Sequence, residues 1–75
     1  MSSAPLLQTL VSGTVARYDS EAGLGEVADA EGRRWPFHCT AISDGSREID
    51  PATAVAFAIA PGGPGQWEAR PVIPL

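Results

Sequence analysis

Glycine and proline recur along almost the whole chain and limit the length of any helix that it can form. Eight glycines and seven prolines are spread over 75 residues. No run of a dozen residues keeps a 3.6-residue apolar period without such a breaker. Residues 53–60 instead place Val55, Phe57 and Ile59 between alanines. This period of two is typical of a strand, so the sequence predicts an all-β fold.

The same kind of alternation predicts five strands separated by turns and loops. We expect them over residues 10–18, 24–29, 33–38, 53–60 and 67–73. A short 3-10 turn is predicted for residues 40–43, a loop for residues 44–52 and a mobile loop for residues 61–65. Because Pro36 lacks an N–H group, the third strand should have an unpaired side there, at an edge or a barrel gap.

The length of the chain allows one domain with a single small core. Residues 1–8 are predicted to be a flexible N-terminal tail, and residues 9–75 a single domain. The large apolar residues at inward positions form the predicted core: Val15, Val27, Trp35, Phe37, Ile42, Val55, Phe57 and Ile59. Since closure removes exposed strand edges, the pattern predicts a small five-stranded antiparallel β-barrel with a short 3-10 turn after strand three.

Composition excludes several classes of function. All five basic residues are arginines, and the formal net charge is −4, which argues against a polybasic clamp on duplex DNA. No apolar run approaches the length of about 18 residues that a membrane span needs. The beginning of the sequence lacks the pattern of a secretory signal, so a cytoplasmic monomer without a membrane partner is expected.

The sequence contains no constellation that indicates an enzyme. One cysteine and one histidine are too few for a disulfide or for a zinc site. His38 has no catalytic partner at a fixed spacing, and the glycine-rich residues 61–65 lack the lysine and hydroxyl of a phosphate-binding loop. We therefore predict that the chain is not an enzyme and that it uses no cofactor and no metal.

Three short runs together resemble the cold-shock domain family. They are Gly13-Thr14-Val15, Gly23-Leu24-Gly25-Glu26-Val27 and Trp35-Pro36-Phe37-His38 with Ala41-Ile42. The resemblance extends from Gly13 to Val72 and implies an OB-type barrel that binds single-stranded RNA or DNA. It places Arg17, Tyr18, Leu24 and His38 on the family's nucleic-acid-binding platform. Arg47, in the loop beyond strand three, is expected to reach that platform.

Several positions of the platform depart from the family. Aromatic residues of the family are replaced here by Leu24, Glu26, Pro36 and Cys39. Each base stacked on an aromatic ring contributes about 1–3 kcal/mol, and a carboxylate at Glu26 should repel phosphate. The resemblance therefore implies a single-stranded nucleic-acid-binding module that binds weakly.

A protein-interaction module that reuses the barrel, with nucleic-acid binding lost, is the alternative. Its surface would be the polar face around Arg17, Glu26 and His38, or the region around Trp67. Arg17 either stacks on a base or pairs with Glu26 across the strands. His38 either contacts the ligand or caps the 3-10 turn. Trp67 either closes one end of the barrel or is an exposed anchor.

Three further side chains have structural interpretations. Arg33 and Arg34 fall at the end of a predicted hairpin, where we expect a solvated tip. Cys39 is expected to be a small, half-buried residue and not a reactive thiol.

Overall fold

The computed structural model describes residues 9–75; the tail predicted for residues 1–8 lies outside the described residues. Within them the chain forms five strands and one 3-10 turn, so the all-β prediction is confirmed. The elements are β1 Val11–Asp19, β2 Leu24–Asp29, β3 Arg34–His38, the 3-10 turn Cys39–Ala41, β4 Ala54–Gly63 and β5 Gln66–Pro74.

All five strands belong to one antiparallel sheet with the order β3-β2-β1-β4-β5. β3 is therefore at an edge of the sheet, as the missing N–H group of Pro36 requires. β5 is at the other edge and contains Pro71 and Pro74.

The core lies on the inner side of this sheet. Six of the predicted core side chains are buried: Val15, Val27, Phe37, Ile42, Val55 and Phe57. Trp35 and Ile59 are only half-buried and pack against this cluster. The other buried apolar residues are Ala41 of the 3-10 turn, Ala58 of β4, and Ala69 and Val72 of β5. Alternation therefore predicts which side chains point inward, but it does not show which of them lie at the rim.

β4 and β5 extend beyond the rest of the sheet as a two-stranded ribbon. β1 pairs with β4 only as far as Phe57, whereas β4 and β5 remain paired up to Gly63 and Gln66. The loop predicted for residues 61–65 is therefore wrong, because the strands continue into a turn at Pro64 and Gly65. Gly65 has a φ of 71°, which glycine adopts without a steric penalty.

Trp67 lies on this ribbon opposite Pro61. Trp67 is 56% exposed, so its indole is not packed into the core, as closing one end of a barrel would require. The sequence leaves Trp67 either closing one end of a barrel or exposed, and in the structure it is exposed.

The turn between β2 and β3 is organised by the buried carboxylate of Asp29. Its Oδ1 accepts hydrogen bonds from the backbone N–H groups of Glu31 at 3.0 Å and Arg33 at 2.9 Å. The Arg33 side chain donates to Oδ2 at 2.8 Å and is still 66% exposed, so Arg33 is solvated at the hairpin end, as predicted, while it also pairs with Asp29. Burial alone would raise the pKa of Asp29, but the hydrogen bonds from Arg33 and Glu31 hold it below its usual value.

Asp29→Asn should reduce the loss in the free energy of unfolding that occurs at acid pH. Because the pKa of Asp29 is lower in the folded chain, its contribution is present above the unfolded pKa and is lost as the pH falls below about 4. Urea denaturation between pH 2 and 7 should show a smaller acid-induced loss in Asp29→Asn than in the wild type. The exposed Asp50 offers a control, and an equal reduction by Asp50→Asn would contradict this account.

Phe57→Ala should cost about 3–5 kcal/mol in the free energy of unfolding, because it removes a large side chain that is 0% exposed. Leu24→Ala removes an apolar side chain that is 49% exposed and should cost less than about 1 kcal/mol. Chemical denaturation of both variants measures the difference. Equal midpoints would show that Phe57 is not in the core.

Candidate functional site

The outer surface of the first three strands includes six side chains that we call the β1–β3 face. They are Arg17, Leu24, Glu26, Arg34, Pro36 and His38. Their common orientation follows from the period of two along β2 and β3. Cross-strand pairing places Arg17 opposite Glu26, and Glu26 opposite Pro36.

Glu26 lies between two arginines at the centre of the face. Its Oε2 is 3.6 Å from Nη2 of Arg17, and its Oε1 is 3.3 Å from Nη1 of Arg34. The sequence leaves Arg17 either stacking on a base or pairing with Glu26, and the structure contains the pair. These three groups carry a net charge of +1, so the two arginines offset the carboxylate from which the sequence predicts repulsion of phosphate. Exposed pairs of this kind contribute little stability.

Sequence reasoning missed Arg34, which we had assigned to a solvated hairpin tip. The sequence does indicate that Arg34 lies on this face, because Arg34, Pro36 and His38 are spaced two apart on a single strand. Arg34 pairs with Ala28 in the register of β2 and β3, and its side chain reaches diagonally to Glu26.

Leu24 and His38 form a cross-strand pair beside Glu26. Leu24 is 49% exposed, and His38 is exposed as well. Nδ1 of His38 accepts a hydrogen bond from the backbone N–H of Thr40 at 3.3 Å and lies 3.0 Å from the Thr40 hydroxyl. His38 therefore caps the 3-10 turn, and this contact fixes an exposed flat ring next to an exposed apolar side chain.

Tyr18 lies on the other side of the sheet, and this differs from the placement that the resemblance implies. The register pairs Val15 with Val27 and then Arg17 with Glu26, so Ala16 is an additional residue in β1. This β-bulge turns Arg17 outward and Tyr18 inward. The ring of Tyr18 packs against the core cluster.

Tyr18 stacks on Phe37 with 5.8 Å between the ring centroids and 7° between the planes. Gly25 pairs with both residues in the sheet and leaves room for the two rings. A Cβ atom at Gly25 would lie 2.7 Å from the Phe37 ring and 2.6 Å from the carbonyl oxygen of Arg17. The glycine that the sequence motif contains is therefore required by this close approach.

The hydroxyl of Tyr18 holds the loop that carries Arg47. It donates a hydrogen bond of 2.6 Å to the carbonyl oxygen of Arg47, whose φ of 61° is in the left-handed region. Burial raises the pKa of the Tyr18 phenol, and Cys39, Glu48 and Asp19 raise it further. The phenol is therefore protonated and able to donate at neutral pH. The backbone carbonyl group of Arg47 is therefore held beside Tyr18.

The β1–β3 face is an open surface. The described part of the chain, residues 9–75, forms no enclosed pocket, and no three metal-ligating side chains gather there. Cys39, one of the positions that depart from the aromatic platform, is half-buried, as we expected. An open sheet surface suits an extended ligand better than a small molecule, which needs a concave site.

Comparison with protein-family models and with curated proteins gives no match to this chain. Between residues 9 and 75 no helix is long and apolar enough to cross a membrane.

Tyr18→Phe should destabilise the protein by about 1 kcal/mol, because it deletes the hydrogen bond to Arg47 and keeps the ring stack. Tyr18→Ala removes both contacts and should cost more. Chemical denaturation measures the two costs, and amide hydrogen exchange in residues 44–50 should accelerate in both variants. If the two substitutions were equally costly, the hydroxyl and not the ring would supply the whole contribution of Tyr18.

Proposed function

We propose that this chain is a single-stranded nucleic-acid-binding module of cold-shock type, with the β1–β3 face as its binding surface for RNA or DNA. The observation that carries the proposal is the position of Glu26 between Arg17 and Arg34. Arg17, Glu26 and Arg34 then carry a net charge of +1, although the whole chain is acidic and Asp19, which pairs with Leu24, adds a carboxylate at the end of the face. A local basic surface is sufficient for phosphate binding.

Arg17 and Arg34 supply the electrostatic part of the interaction. Their side chains are 60% and 59% exposed, and the planar guanidinium group matches phosphate oxygens in a bidentate geometry. Arg17 is on β1 and Arg34 is on β3, so the two arginines flank Glu26 on opposite sides. A single strand of RNA or DNA that crosses the face therefore meets a guanidinium group on each side of Glu26.

Stacking supplies the second part of the interaction, and it is weak. His38 is the one aromatic ring on the β1–β3 face, with Leu24 and Pro36 as apolar neighbours. Each missing ring removes about 1–3 kcal/mol relative to a full platform. Tyr18 takes part indirectly, since its hydroxyl positions the loop that carries Arg47 at the rim of the sheet.

The proposal includes closure of the sheet into an OB-type barrel. Ile42, just after the 3-10 turn, forms a parallel bridge with Val72 of β5. The backbone N–H of Ser43 donates to the carbonyl oxygen of Val72 at 2.8 Å. These contacts join the chain after β3 to the opposite edge of the sheet and support closure. A cytoplasmic monomer belongs to the same proposal.

A protein-interaction module is the second candidate, and the exposure of Trp67 favours it. The indole is 56% exposed on a ribbon that extends beyond β1. Exposed tryptophans are frequent anchors in protein interfaces. This surface is on the β4–β5 ribbon, so the two candidates use different parts of the molecule.

Leu24→Phe should raise the affinity for a single-stranded oligonucleotide, because it restores one stacking ring on the exposed face. A gain of about 1–3 kcal/mol corresponds to about 5- to 150-fold in Kd. Fluorescence anisotropy with a labelled oligothymidine measures it at constant salt. Leu75→Phe adds the same ring at an exposed position that follows β5 and should leave Kd unchanged.

An equal gain from both variants would indicate nonspecific adhesion of an added aromatic ring. Failure of the folded wild-type and Leu24→Phe proteins to bind any single strand would remove the nucleic-acid proposal. In that case the Trp67 surface becomes the better candidate, and Trp67→Ser should abolish the interaction with a partner protein.

A further inference from the structure

We propose that Glu26 reads guanine in the bound strand, so that the β1–β3 face prefers single strands that contain guanine. The inference rests on the proposed binding of single-stranded nucleic acid and adds the identity of the base. It begins from the fact that a carboxylate occupies the centre of the face and is 28% exposed. A bound strand therefore meets this group directly.

The carboxylate of Glu26 has free capacity to accept hydrogen bonds. Two carboxylate oxygens offer about four acceptor sites. Arg17 approaches Oε2 only to 3.6 Å, which is beyond hydrogen-bond distance. Arg34 donates to Oε1 at 3.3 Å, longer than the usual 2.7–2.9 Å of a charge-assisted bond. The two arginines therefore orient and neutralise the carboxylate without saturating it.

Guanine is the base whose donors match such a group. Its Watson–Crick edge presents N1–H and the N2 amino group side by side, and a carboxylate accepts both with its two oxygens. The corresponding edges of adenine, cytosine and uracil or thymine place an acceptor next to each donor, and that acceptor repels a carboxylate. Bases in single strands expose these edges to the protein.

The arginines complement the remaining polar atoms of the same base. Guanine carries the acceptors O6 and N7 beside its donors, and arginine is the usual partner of this pair. Arg34 and Arg17 lie on either side of Glu26, so a guanine on Glu26 has its O6 close to a guanidinium group. Leu24 is two residues away on β2, and it offers an apolar surface for the adjacent base. The arrangement of charges on the face thus mirrors the polar edge of one base.

Binding of labelled heptathymidylates with one central substitution tests the inference. Strands with central guanine, hypoxanthine, adenine, cytosine or thymine are titrated against the full-length wild type, Glu26→Gln and Glu31→Gln. Hypoxanthine retains N1–H and O6 of guanine but lacks the N2 amino group. Glu31→Gln makes the same change of charge at the β2–β3 turn, where Glu31 pairs with Arg33. Thermal unfolding confirms that each variant is folded.

In the wild type we expect the guanine strand to bind about fivefold or more tightly than the thymine strand, with the hypoxanthine strand between them. Glu26→Gln should abolish the preference, so that the guanine and thymine strands bind with equal affinity. Glu31→Gln should retain the preference.

Three results would overturn the inference. A wild type that binds all five strands equally does not read guanine, although it remains a nucleic-acid-binding module. A guanine preference that persists in Glu26→Gln belongs to other residues. If the wild type binds none of the strands, the proposed function and this inference fail together.

Discussion

One additional residue in β1 determines which side chains reach the outer surface of the sheet. Ala16 has no partner between the pairs Val15–Val27 and Arg17–Glu26. Without this bulge, Arg17 would pair with Gly25 and face the core, and Tyr18 would lie outside beside Leu24 and His38. With it, Arg17 meets Glu26 on the outer surface, and Tyr18 stacks on Phe37 inside. The composition of the β1–β3 face depends on this local change of register.

The inward rotation of Tyr18 links the core to the loop beyond the 3-10 turn. The ring fills the space above Gly25 and contacts Phe37, while the hydroxyl binds the carbonyl oxygen of Arg47. An aromatic residue that would have been a stacking surface thus becomes a structural support. The β1–β3 face keeps one aromatic ring, that of His38. Its most distinctive feature is the charged group of Arg17, Glu26 and Arg34 at its centre.

Much of the architecture follows from the sequence, and the exceptions have physical causes. Alternation predicted β2 at its observed bounds, and Pro36 predicted that β3 lies at an edge or a barrel gap, of which the sheet shows the edge. The bulge could not be predicted, because alanine has no property that marks it as an unpaired residue. The end of β4 was missed because Pro61, Gly62 and Gly63 have low strand propensity. They pair nevertheless, with a two-residue turn at Pro64 and Gly65 and a shift of register between Pro61 and Gly63.

Backbone amide and indole shifts in ¹⁵N NMR spectra, recorded while a guanine-containing single strand is added to the full-length protein, test the central claim most directly. The account predicts progressive shifts on the β1–β3 face, at Arg17, Leu24, Glu26, Arg34 and His38. The indole signal of Trp67 on the β4–β5 ribbon should remain unchanged. Shifts confined to Trp67 and its ribbon, or no shifts at any amide, would contradict the assignment of the β1–β3 face as a nucleic-acid-binding surface.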